Sequence, residues 1–198
     1  MTVRIYAEGA GEGELYDTLF RQAWQAFFRS AGLAGRMPGV IRGKSRERAF
    51  DLFRTAVQNP RSGILPLLLV DSEGPVEPEV GAWEHLRKSD GWQQPANAAG
   101  DQAFLMVQLM ETWFLADRAL LRSYFGAQFR EAALREWPHL EAVPKQTVLN
   151  ALDQATAGCS KPYAKGRVSF DLLAKLNPAE VEAACPRAKL FLEHLRNH

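Results

Sequence analysis

The chain has 198 residues, of which 46% are hydrophobic and 24% are charged, and its formal net charge is +1. These values are typical of one globular domain, or one domain with an appendage, and they exclude a global electrostatic attraction to nucleic acid. We expect a cytoplasmic protein without membrane contact, because no signal-peptide core and no apolar run of about 18 residues is present. Cys159 and Cys185 lack metal-ligand spacing and are expected to be free thiols.

The first two-thirds of the chain alternate between predicted strands and predicted helices. Apolar runs predict strands at 2–8, 37–42, 64–70 and 104–110. Helical spacing of apolar residues predicts helices at 12–31, 80–87 and 112–124, with a further helix capped by Ser45. Residues 74–103 are rich in Pro, Gly, Asn and Gln and predict an irregular excursion. This alternation predicts an α/β fold with a mostly parallel central sheet flanked by helices.

The last third of the chain is predicted to be helical. Helices are expected at 129–136, 146–156, 170–175, 178–184 and 186–195. We therefore expect an α/β core over residues 1–126. Residues 127–198 are expected to form a helical C-terminal extension that packs on this core.

Acidic residues follow three of the predicted strands. Glu8 and Glu12 follow the first strand, Asp71 and Glu73 follow the apolar run 64–70, and Glu111 follows the run 104–110. The carboxyl ends of parallel strands meet at one edge of a sheet, where ligands bind. Carboxylates gathered there repel one another unless a positive charge lies between them, and such oxygen ligands suit Mg²⁺ or Mn²⁺.

Each acidic residue also has a simpler explanation when it is taken alone. Glu12 and Glu111 lie at predicted helix starts, where the helix dipole stabilises negative charge, and Asp71 could cap a helix. A dinucleotide site is disfavoured because the third glycine of the stretch at 9–13 falls one position early for the Gly-x-Gly-x-x-Gly pattern. The joint occurrence of acids after three strands favours a metal site.

Two groups of basic residues could contact a phosphate. Arg42, Lys44 and Arg46 lie near the end of the second predicted strand, where they could bind a nucleic-acid backbone or form a solvated helix face. Lys161 and Lys165 are either solvated loop residues or, beside a metal site, groups that hold a phosphate and stabilise a leaving oxygen.

The pattern resembles a known domain. Glu8, Gly9 and Glu12 after the first strand, with the acidic step at Asp71 and Glu73, resemble the Toprim domain of topoisomerases, primases and overcoming-lysogenization-defect nucleases. More narrowly, the stretches QLMETWFLAD at 108–117 and KPYAK at 161–165 resemble a family of small bacterial Toprim-like proteins. Its members are often encoded beside ABC-type ATPases, and a role in defence against phage has been suggested. The resemblance extends over residues 3–195.

The resemblance implies a Toprim-like fold and a metal-dependent nuclease that cleaves DNA, with Mg²⁺ or Mn²⁺ as cofactor and an ABC-type ATPase as partner. Glu8 would act as general base or bridge a metal. The remaining implied metal-site residues are Glu12, Asp71, Glu73 and Glu111, of which the last binds or orients a metal. Lys165 or Lys161 would support cleavage. RNA as substrate, one metal or two, and a homo-oligomeric state stay open.

One residue departs from the Toprim pattern. The acidic step is usually Asp-x-Asp, whereas here the second acid is Glu73. The extra methylene shifts the carboxylate, and Mg²⁺ requires near-ideal geometry. The second metal, and with it full activity, depends on whether Glu73 can reach this geometry.

The sequence leaves two alternative functions open. One is a catalytically weak or inactive binding subunit that regulates an ATPase complex. The other is a phosphatase or nucleotide hydrolase that uses the same metal cluster.

Overall fold

A computed structural model describes residues 1–9 and 11–198 of the chain. The fold is α/β, as predicted. The described residues form the strands β1 (Thr2–Ala7), β2 (Gly39–Arg42), β3 (Ile64–Asp71) and β4 (Ala103–Met106). These strands make a parallel four-stranded sheet in the order β2-β1-β3-β4. The register pairs Ala7 with both Arg42 and Leu69, and Asp71 with Met106. The carboxyl ends of all four strands therefore lie along one edge.

Helices flank the sheet and dominate the C-terminal third. They are α1 (Glu14–Phe28), α2 (Arg46–Gln58), α3 (Ala82–Asp90), α4 (Glu111–Ala116), α5 (Arg118–Phe125), α6 (Lys145–Thr156), α7 (Arg167–Lys175), α8 (Pro178–Ala184) and α9 (Pro186–Asn197). As predicted, Ser45 caps α2, because its hydroxyl accepts a hydrogen bond from the Arg48 N–H at 3.2 Å. None of the helices in the described part of the chain has the length and apolar character that a membrane span requires.

Both faces of the sheet are covered, which explains the wholly apolar sequence of β3. Leu67 and Leu69 face the larger apolar cluster, formed with α1 and the C-terminal helices. Leu68 and Val70 face the smaller cluster, formed with α2 and α3. Polar and apolar residues alternate in a strand with one face in solvent, whereas a strand that is buried on both faces is apolar throughout. The C-terminal helices share the larger cluster with α1 and with the sheet residues Leu67 and Leu69.

The structure corrects three predicted elements. Strand β4 ends at Met106 rather than at residue 110. The helix predicted at 112–124 is two helices, because Asp117 interrupts it and accepts a hydrogen bond from the Leu120 N–H at 2.9 Å, which caps α5. The helix predicted at 129–136 is wrong, since only a 3-10 turn forms there. The Arg130 N–H donates to the carbonyl of Ala155 in α6 at 2.8 Å, which ties this segment to a neighbouring helix.

Candidate metal centre

A glycine turn at the end of β1 positions Glu8. The Glu8 N–H donates to the Leu69 carbonyl at 3.3 Å, so the residue is still aligned with β3. A Cβ on Gly9 would lie 2.6 Å from the Phe20 ring. Gly11 has φ of +98°, and a Cβ there would lie 2.1 Å from Tyr16. The chain therefore needs glycine at both positions to turn from β1 towards α1.

Arg42 holds this turn from the end of β2. Its guanidinium donates to the carbonyl of Gly11 at 2.6 Å, to that of Gly9 at 3.4 Å, and to the Asp17 carboxylate at 2.7 Å. The residue is only 7% exposed. The expectation that Arg42 contacts nucleic acid is therefore not retained, because burial and these bonds commit its side chain to the turn.

Three of the predicted carboxylates come together. Glu8, Asp71 and Glu73 each offer an oxygen, and these oxygens lie within 4.8 Å of one another. Asp71 ends β3, is buried, and accepts a hydrogen bond from the Met110 N–H at 2.9 Å. Glu73 has φ of +61° and donates its N–H to the Gln108 carbonyl at 2.9 Å. Glu73 therefore adopts a left-handed conformation that usually favours glycine or asparagine.

The electrostatics of this group are unfavourable without a cation. Burial, and then the charges of Glu8 and Glu111, raise the pKa of Asp71 well above its ordinary value. Burial also raises the pKa of Glu8, although the nearby Arg46 opposes the shift. Glu8 Oε2 is buried and has no hydrogen-bond partner among the described residues; Arg46 Nε lies 3.8 Å away, beyond hydrogen-bond range. A buried carboxylate oxygen without a donor is costly, and a cation would remove that cost.

Glu111 lies beside the three carboxylates on the first turn of α4. Its side chain is 4% exposed, and Oε1 accepts a hydrogen bond from the Tyr163 hydroxyl at 2.6 Å. Lys165 Nζ lies 3.7 Å from the same oxygen. Glu8, Asp71, Glu111 and Lys165 line a cavity of about 50 Å³, together with Met106, Met110, Gly166, Ser169 and Phe170. This volume exceeds what one water molecule needs, and the lining combines the charged side chains with the apolar side chains of Met106, Met110 and Phe170.

The other predicted site residues are placed differently. Arg46 is half-buried at the cluster, where it donates to the Asp71 carbonyl at 3.0 Å and pairs with Asp90. Glu12, Lys44 and Lys161 are exposed, and Glu12 lies outside the group of three carboxylates. The structure thus brings Glu8, Asp71, Glu73, Glu111, Arg46 and Lys165 to one edge of the sheet.

Three further residues at the site had no assigned role from sequence. Lys145 pairs with the Glu73 carboxylate, Gln108 accepts the Glu73 N–H, and Tyr163 donates to Glu111. Lys145 lies 72 positions from its partner, so no local spacing could connect the two. Tyr163 was part of the KPYAK stretch, but only the fold reveals its contact with α4.

The comparisons place the chain in one family. The family model described as "Domain of unknown function (DUF4276)" matches residues 7–196. The chain belongs to this family. The match includes every residue of the candidate metal centre. Neither the curated proteins nor the solved structures contain a significant match.

Proposed function

We propose that this DUF4276 protein is a metal-dependent nuclease that hydrolyses phosphodiester bonds at the Glu8–Asp71–Glu73 group. The observation that carries the proposal is the convergence of these three carboxylates, with Asp71 buried and Glu8 Oε2 lacking a donor within residues 1–9 and 11–198. A fold that only needed stability would gain from replacing such charges, since removing a carboxylate from water is costly even where a cation such as Arg46 lies nearby.

The residues fit a hard divalent cation. All three ligands are carboxylate oxygens, the type that Mg²⁺ and Mn²⁺ prefer. Around an octahedral Mg²⁺, opposite oxygens are about 4.2 Å apart and adjacent oxygens about 3 Å apart, so carboxylate oxygens that lie within 4.8 Å of one another must move closer by at most about 2 Å. Glu73 supplies the longer side chain at the step where the Toprim pattern has aspartate. Its exposed position leaves its carboxylate free to adjust.

Side chains at the site can accept a proton, neutralise phosphate charge and position one another. Glu8 Oε2 can accept the proton of an attacking water, since it has no competing donor among the described residues and its pKa is raised. Lys165, which is exposed and lies at the rim of the cavity, can neutralise charge on the phosphate. Tyr163 fixes Glu111, and Glu111 in turn keeps Lys165 beside the site. When bound, a divalent cation supplies Lewis-acid stabilisation of the phosphate and lowers the pKa of water.

The biological setting in the proposal rests on the Toprim-like resemblance. It comprises DNA as the substrate, an ABC-type ATPase as partner and a role in phage defence. The net charge of +1 supports substrate contact through local groups rather than through the whole surface. Lys145 and Lys165 lie beside the carboxylates with partly exposed side chains and could provide such contact, whereas the Arg46 side chain is 15% exposed and is held by Asp90.

A nicking assay on supercoiled plasmid tests the proposal. We expect Mn²⁺-dependent nicking by the wild-type protein and at least a 100-fold loss in Asp71→Asn and Glu8→Gln, in line with the loss of one preorganised group. Glu84→Gln is the matched control, because Glu84 is an exposed acid that pairs with Lys88 on α3. Activity unchanged in the Asp71 and Glu8 variants would refute the catalytic assignment. Tight Mn²⁺ binding without cleavage of any nucleic acid would instead favour a regulatory subunit.

A further inference from the structure

The ion pair between Lys145 and Glu73 lies within the candidate metal centre itself. Lys145 Nζ contacts Glu73 Oε2, and Glu73 is one of the three carboxylates that would bind the cation. The two side chains are 33% and 36% exposed, so the pair faces the solvent from which a substrate arrives. A cation bound by Glu73 and the ammonium group of Lys145 would therefore compete for the same carboxylate.

The position of Lys145 in its helix is unfavourable for a positive charge. Lys145 is the first residue of α6, and the first turn of this helix contains no acidic residue. Helix N-termini stabilise negative charge and destabilise positive charge. An exposed ion pair provides little stability in return. Helix stability therefore does not account for a lysine here, whereas a role at the neighbouring carboxylates does.

A single buried residue anchors both partners of the ion pair. Gln108 is 3% exposed; its side-chain Oε1 accepts the backbone N–H of Lys145 at 3.0 Å, and its carbonyl accepts that of Glu73 at 2.9 Å. The two backbones are thus fixed relative to each other. The partly exposed side chains can separate while their backbones stay in place, so the ammonium group can leave Glu73 and remain beside the site.

We propose that Lys145 is a built-in competitor for the metal, which leaves Glu73 when a divalent cation binds and then contacts a phosphate of the substrate. This role rests on the proposed nuclease function and sets the order in which the cation and the substrate bind. Cation binding releases the ammonium group, and the released group raises the affinity for a phosphate backbone. By thermodynamic linkage, a bound polyanion must raise the affinity for the cation by the same factor.

Two binding constants test the role of Lys145. Calorimetry gives the Mn²⁺ affinity, and fluorescence anisotropy gives the affinity for a labelled phosphorothioate oligonucleotide, with and without saturating Mn²⁺. We expect Lys145→Met to bind Mn²⁺ about 2- to 5-fold more tightly without oligonucleotide, because it lacks the competing ion pair. We also expect the factor by which Mn²⁺ strengthens oligonucleotide binding to fall about 2- to 5-fold.

Two further variants separate this role from general effects of charge and folding. Lys145→Arg keeps a cation at the same position and should retain the coupling between Mn²⁺ and oligonucleotide. Lys88→Met removes an exposed ion pair with Glu84 on α3 and should change neither binding constant. Unchanged coupling in Lys145→Met would overturn the proposal while leaving the metal site intact. Absence of Mn²⁺ binding by the wild-type protein would refute the proposed function as well.

Discussion

The hydrogen bond from Tyr163 to Glu111 is expected to be among the costliest single contacts to remove near the site. Glu111 is 3% exposed, and the Tyr163 hydroxyl is 2.6 Å from its Oε1. Tyr163→Phe keeps the ring and removes the donor, so a buried carboxylate loses a charge-assisted bond worth about 1.5–3 kcal/mol. Lys165 at 3.7 Å is too far to replace it. At roughly 2–4 °C per kcal/mol, Tm should fall by about 3–12 °C.

Urea unfolding, monitored by tryptophan fluorescence, measures the loss in free energy of unfolding. Tyr124→Phe is the matched control, because Tyr124 donates to the Asp171 carboxylate at 3.1 Å with both residues only half-buried. Its loss should cost less, about 0.5–1 kcal/mol, because water can replace the lost donor at the half-buried Asp171 carboxylate. In a Glu111→Gln background, Tyr163→Phe should cost less, since the acceptor is then neutral. Equal costs for the two tyrosine variants would refute the reasoning.

Three further predictions concern the carboxylates and the turn that positions them. Asp71→Asn should raise the free energy of unfolding of the metal-free protein by about 1–3 kcal/mol and abolish Mn²⁺ binding, as measured by urea unfolding and calorimetry. The pKa values of Glu8 and Asp71 are raised in the folded state from 4.5 and 3.8. The folded protein then holds more protons than the unfolded chain. The stability of the metal-free protein should therefore fall as the pH rises from about 4 through the raised pKa values of these two residues. The Mn²⁺ affinity should rise over the same range, because the carboxylates lose their protons. A stability that does not change with pH would contradict this prediction. Gly11→Ala should lower the free energy of unfolding by about 1–3 kcal/mol and weaken Mn²⁺ binding, because the new Cβ meets the Tyr16 ring and the φ of +98° is strained for alanine. The control is Gly91→Ala, where φ is +72° and no described atom lies within 4 Å of the new Cβ. This control should lose stability without a change in Mn²⁺ binding.

The parts of the site that follow strand ends could be predicted from sequence. Glu8 and Asp71 each end or directly follow a strand, and parallel strands bring their carboxyl ends together whatever the details of packing. The apolar run ending at Asp71 also predicted a strand buried on both faces. Glu111 reached the same edge by a different route, because β4 ends early and the residue begins α4 instead.

The parts that depend on long-range packing could not be predicted. Lys145 meets Glu73 across 72 positions of sequence, with Gln108 accepting a backbone hydrogen bond from each, and no spacing in the sequence signals that contact. Arg42 lies in a basic cluster of the sequence, yet its guanidinium is buried against the glycine turn. A charge pattern does not reveal which member of a basic cluster faces inward. Glu12 lies only four residues after Glu8 in the sequence, yet it is exposed.

The most direct measurement is anomalous diffraction from crystals of the protein saturated with Mn²⁺. The metal-site hypothesis predicts an anomalous peak bounded by the carboxylates of Glu8, Asp71 and Glu73, with Lys145 displaced from Glu73. Crystals of the Asp71→Asn variant, treated in the same way, should lack the peak. An empty Glu8–Asp71–Glu73 group in fully loaded wild-type crystals, or a peak only at other residues, would contradict the hypothesis.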